Sequence, residues 1–183
     1  MDYIAYAKAA GFTEASYFDP QKLSFADAET LRDACKANDC GFYGRYWTCP
    51  PGVGTIEKVQ NKVLSYRHGL VLQLLTEAIS LTFQPELFSE VSQTFNDMTK
   101  VVGDQLKQEV GENVFMLGMS GCTLCKHCTY PKASCCYGKA MVPCISGHCI
   151  NVYRLWDNTG HRRANLDETD FYSVLLWNDP ADA

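Results

Sequence analysis

The sequence predicts an α/β fold: a single small domain with about four strands in one sheet, helices packed on it, and cysteine-rich loops at 35–54 and 121–149. Three observations carry this. Apolar positions alternate between helical and strand periodicity along the chain. A length of 183 residues with 46% apolar content suits one core. Nine of the ten cysteines fall between the predicted elements, and Cys35 lies on the face of a predicted helix.

Each element has its own reason. Residues 3–10 (Tyr-Ile-Ala-Tyr-Ala-Lys-Ala-Ala) favour helix, and Gly11 caps the end. Ala15 to Phe18 is a short strand, stopped by Asp19-Pro20. Asp27 to Asn38 is helical, with Ala28, Leu31, Ala34 and Cys35 on one face, and Asp39-Cys40-Gly41 ends it. Gly41 to Gly54 holds four glycines and two prolines, which forbid regular structure for most of its length. Long loops of this kind inside compact domains are usually functional. Thr55 starts a short helix with Ile56, Val59 and Val63 on one face.

Gly69 to Thr76 is a strand. Pro85 to Val110 is the clearest helix: Leu87, Phe88, Val91, Phe95, Met98, Val102 and Leu106 form its stripe, Pro85 suits the first turn and Gly111 the end. Asn113 to Met119 is a strand that feeds into the second cysteine loop. Ile150 to Trp156 is a short helix, 158–169 a polar loop, and Phe171 to Trp177 the last strand.

The net charge of −5 is mild and argues against a nucleic-acid binder, which would normally be basic. The N-terminal Met1-Asp2-Tyr3-Ile4-Ala5 has neither the basic nor the apolar region of a secretory signal. No stretch approaches the roughly 18 apolar residues of a membrane span. A cytoplasmic protein is the expectation, and in a reducing compartment clustered cysteines mean metal or redox chemistry more often than disulfides.

The cysteines form two groups: Cys35, Cys40 and Cys49, then Cys122, Cys125, Cys128, Cys135, Cys136, Cys144 and Cys149. Soft thiolates select zinc, copper(I) or iron–sulfur clusters. Cys122-x-x-Cys125-x-x-Cys128 lets three sulfurs surround one centre, the arrangement a cubane needs together with one remote ligand. Zinc sites more often show separated pairs, and zinc is the alternative. Two [4Fe-4S] clusters are the expected cofactors. One would take Cys122, Cys125 and Cys128 with Cys136 or Cys135. The other would take Cys35, Cys40 and Cys49 with Cys144 or Cys149. If the second trio lacks a fourth thiolate, an open iron could bind a small substrate or sulfur.

The pattern Cys35-x-x-x-x-Cys40-Gly41-x-Tyr43-Gly44-x-x-Trp47-x-Cys49-Pro50-Pro51, then Gly121-Cys122-x-x-Cys125-x-x-Cys128-x-Tyr130-Pro131, then Cys136, resembles the domain of unknown function 2284 family of bacteria and archaea, whose members are described as metal-binding. The resemblance spans most of the chain. It implies Cys35, Cys40, Cys49, Cys122, Cys125, Cys128 and Cys136 as ligands. The chain departs from the family pattern near its end: Tyr137-Gly138-Lys139 stands where Arg and Pro are expected, and Cys144-Ile145-Ser146 where Ser-Met-Glu is expected. Cys135, Cys144 and Cys149 are additions.

Milder readings apply to the neighbours. His127 is a loop residue near the thiols, His148 a better candidate for a role there, and His68 and His161 surface residues. Tyr43, Tyr46 and Trp47 shield a bound centre from water. Gly52-x-Gly54 is a turn. No Ser–His–Asp set or carboxylate pair marks a hydrolase, so no catalytic residue is assigned. The expected activity is electron transfer to a redox partner protein or small molecule, in an oxygen-sensitive protein of an anaerobe, with no nucleic acid and no membrane involved. A zinc-stabilised interaction module is the other alternative.

Overall fold

The computed structural model describes residues 1–119 and 121–180. Four strands form one sheet: β1 (Glu14–Phe18), β2 (His68–Glu77), β3 (Val114–Leu117) and β4 (Glu168–Trp177), in the order β1-β2-β4-β3. Every neighbouring pair is antiparallel. Five α-helices accompany them: α1 (Tyr3–Ala9), α2 (Ala28–Ala37), α3 (Ile56–Leu64), α4 (Pro85–Val110) and α5 (Val152–Asp157). The order of elements follows the sequence expectation.

The inner strands β2 and β4 are covered on both faces, so they read as near-continuous apolar runs. Leu70, Leu72, Phe171 and Leu175 face Tyr3 and Ala7 of α1 and Phe95, Val102 and Leu106 of α4. Val71, Val174 and Leu176 face the other way, onto Val63 of α3, Leu155 and Trp156 of α5, and Ile145. Gln73 is the polar exception in β2, fully buried, with its Nε2 donating to the Arg162 carbonyl and the Tyr172 hydroxyl, both at 3.0 Å.

Two helices bury polar side chains beside the expected apolar ones. On α4 the buried line is Ser92, Phe95, Thr99, Val102, Gly103 and Leu106, while Leu87 is turned outward. The expected stripe otherwise holds, with Phe88, Val91 and Met98 packed against the core, and it is widened by Thr99, whose hydroxyl donates to the Phe95 carbonyl at 2.9 Å and lies 2.9 Å from Ser173 Oγ. On α2, Ala28 and Arg32 are buried, Cys35 is half-buried and Ala34 is exposed. A charged side chain therefore replaces alanine on the inward face, and its partners lie in the site described next.

Two of the four histidines depart from the surface reading. His161 is half-buried and stacks on Trp156, and His68 stacks on Trp177 and pairs with Asp179.

Candidate metal centre

Three loop segments meet at the end of β3. Beyond Leu117, the Gly118 N–H donates to the Pro143 carbonyl at 2.9 Å and its carbonyl accepts from the Ile145 N–H at 3.1 Å. This lays 143–145 alongside as a parallel bridge. On its other side, the Cys144 N–H reaches the Thr48 carbonyl at 3.0 Å. The two cysteine loops are thus joined by backbone hydrogen bonds, with Cys49 following one strand of the junction and Cys122 the other.

The first loop is bent by local devices. Asn38 ends α2 in the left-handed conformation, φ 62°, and its side chain accepts from the Tyr43 N–H at 2.9 Å. That reversal returns Cys40 toward Cys35. The Gly44 N–H donates to the Pro50 carbonyl at 2.9 Å, closing the loop around Cys49. Gly52 packs so near the same turn that a Cβ there would stand 2.7 Å from the Tyr46 carbonyl oxygen. At the other end, Asn151 caps α5 and donates to Asp27, which also accepts from Arg154. The start of α2 is thereby tied to the chain just after Cys149.

The ten thiols sort into two sets of five. Cys35, Cys40, Cys49 and Cys144 interact electrostatically with one another, and Cys149 lies beside Cys35. Cys122, Cys125, Cys128, Cys135 and Cys136 form the second set. The Thr48 junction brings Cys144 to the trio of the first loop. In the second set, Cys122, Cys125, Cys128 and Cys135 line one narrow cavity, closed by Trp47, Thr48 and Tyr137. Cys136 is exposed, and its thiol is hydrogen-bonded to that of Cys125. Among the described residues no three His, Cys, Asp or Glu side chains stand close enough to hold a single metal ion.

Burial sets the protonation of these groups. It pushes the Cys35 thiol up to about 11, with Cys144 adding to it, and Cys49 up to about 12, again with Cys144. Cys144 rises for the same reason, against the pull of the Gly147 and Ser146 N–H groups. Cys122 and Cys125 are raised by burial too. Such thiols are neutral at pH 7 and poor nucleophiles, so the arrangement suits ligation coupled to proton release better than covalent catalysis.

Other polar groups already point at the sulfurs. The Gly121 N–H donates to Cys49 and the Leu124 N–H to Cys122. The Thr48 hydroxyl lies 3.9 Å from Cys49 Sγ. Arg32 Nε donates to Cys149 Sγ at 3.4 Å, and its Nη2 is buried with no partner. A buried guanidinium is costly unless an anion answers it. Sequence reasoning missed Arg32; its spacing from Ala28 and Cys35 on α2 was the available signal.

The remaining neighbours divide. Trp47 Nε1 donates to the Ala133 carbonyl at 3.1 Å and its ring meets Tyr130 edge-on, so it walls the second set. Tyr46 packs on Phe42, which itself abuts Gly121. His148 is buried and its Nδ1 is bonded to the Cys144 carbonyl at 2.9 Å, so it braces the loop. His127 is exposed.

The model of the family described as predicted metal-binding protein (DUF2284) matches residues 18–177. The chain belongs to this family. The matched span of DUF2284 runs from the end of β1 to the end of β4 and includes both thiol sets. No curated protein and no solved structure matches the chain. Metal binding is the family's described property, and the thiol sets are where this DUF2284 chain concentrates soft donors. Among the described residues no helix is long and apolar enough to cross a membrane.

Proposed function

We propose that this is a cytoplasmic iron–sulfur protein that holds two [4Fe-4S] clusters and delivers electrons to a partner protein or small molecule. The observation that supports this most is the sorting of the thiols: each loop junction gathers four, as each cubane requires. Cys35, Cys40, Cys49 and Cys144 would hold one, and Cys122, Cys125, Cys128 and Cys135 or Cys136 the other. The family spacing favours Cys136 and the cavity favours Cys135.

The spacing of the thiols also supports a cluster. Zinc–sulfur bonds of about 2.3 Å draw four sulfurs around one point. A cubane spreads its thiolates over separate corners, which the Cys122-x-x-Cys125-x-x-Cys128 run suits. When bound, such a cluster supplies a one-electron couple. The chain contributes N–H donors at Gly121, Ser146, Gly147 and Leu124, the Arg32 charge, and aromatic cover from Trp47. These favour the thiolate form and keep water out.

Iron and acid-labile sulfide should be measured on anaerobically purified protein, with electron paramagnetic resonance after reduction. About eight irons per chain and a reversible one-electron couple are the expected result. Colourless protein with stoichiometric zinc would replace this reading with a zinc-stabilised interaction module.

A further inference from the structure

The two thiol sets differ in their surroundings. The set of Cys35, Cys40, Cys49 and Cys144 lies against Arg32, which is only 7% exposed. Its guanidinium donates through Nε to Cys149 Sγ at 3.4 Å and stands near Cys35. Its Nη2 is buried and has no hydrogen-bond partner. A buried guanidinium is stabilised by an anion placed against it. Among the described residues, no buried arginine other than Arg32 is found to answer the set of Cys122, Cys125, Cys128 and Cys135. The cation that acts on Cys122 is Lys100, which is paired with Asp97 at 2.7 Å, while Lys126 and Lys132 of the same loop are exposed to solvent.

Backbone N–H groups also reach the sulfurs. The first set receives the N–H groups of Gly121, Ser146 and Gly147. The second receives that of Leu124. Reducing a bound cluster adds one electron and so one negative charge. A fixed cation and oriented N–H groups favour the more negative state, and they stand in for the water that burial removes.

We propose that Arg32 is the charge-compensating residue of the first thiol set and makes the centre bound there the easier of the two to reduce. The inference rests on the cluster reading above. Cys149 is then the guanidinium's partner and not a ligand, and Arg32 acts on the centre through charge, as a positioning residue.

The test is a potentiometric titration, with dithionite as electron donor, of the wild type and of Arg32→Gln and Arg32→Lys. A Cys122→Ala, Cys125→Ala double variant strips the second set and shows which couple belongs to the first. The wild type should give two separate couples, the higher one surviving in the double variant. Arg32→Gln should weaken reduction of that couple about tenfold, which is about 59 mV for one electron. The other couple should stay in place, and Arg32→Lys should retain most of the effect. If Arg32→Gln fails to load the first set while Arg32→Lys loads it, charge compensation is supported. Failure of both to load, an unshifted couple, or an equal shift of both couples overturns the inference. Wild-type protein without iron and sulfide ends the cluster reading and this inference together, whereas two clusters with unshifted potentials end the inference alone.

Discussion

The Cys144 N–H donates to the Thr48 carbonyl at 3.0 Å, and this bond registers two loops that are far apart in sequence. Cys144 is brought to the Cys35, Cys40 and Cys49 trio because its backbone is held between Thr48 and Gly118.

That placement separates Cys144 from Cys149. Cys144→Ser should lose about half of the bound iron, since each cubane takes four thiolates. Cys149→Ser should keep it, because the Cys149 thiol serves Arg32. Iron and sulfide analysis of the two variants checks the assignment, and the reverse pattern would exchange their roles.

A similar pair exists in the second set. Cys135 lines the cavity with Cys122, Cys125 and Cys128, while Cys136 is exposed. Cys135→Ser should reduce iron content by about half and Cys136→Ser should leave most of it. Loss on Cys136→Ser alone would show that the neighbouring thiol turns inward on loading and that the family spacing governs.

Gly121 sits where no other residue fits well. Its φ is +89°, and a Cβ would stand 2.9 Å from the Phe42 ring. Gly121→Ala should cost about 1–3 kcal/mol in denaturant unfolding of the metal-free protein. The same change should shift the Cys49 amide donor and broaden the reduced-state resonance spectrum.

Acid stability should depend on Glu168 at the start of β4. Hydrogen bonds from Arg162, then from the Asn165 N–H, hold its carboxyl down to about 2 from an ordinary value of 4.5. The unfolded chain therefore binds this proton first as pH falls. The contribution is fully present above about 4.5 and is lost as pH drops through about 2. Glu168→Gln should flatten the acid limb of the stability curve in that window, measured by thermal unfolding at several pH values.

Much of this architecture was legible in the sequence because periodicity reports burial directly. The helix Pro85–Val110 and the inner strands stand as expected. The two cysteine loops were marked by glycine, proline and sulfur content. Thr99 and Arg32 were not legible, because each is buried by a partner far along the chain: Ser173 for one and Cys149 for the other. A polar side chain looks solvent-facing in one dimension until its long-range acceptor is known. The same limit hid the approach of Cys144 to the first trio, which depends on a loop pairing and not on local spacing.

Gln73 works as a registration mark for the sheet. It stands directly opposite Tyr172, whose hydroxyl takes its amide proton. A slip of one residue between β2 and β4 would turn that amide toward the packed faces of α1 and α4. There it would lack its acceptors, at about 1–3 kcal/mol. Misaligned pairings are thereby penalised while the chain folds, and β3, which pairs with β4 and leads into the second cysteine loop, is set at a fixed height by the same strand.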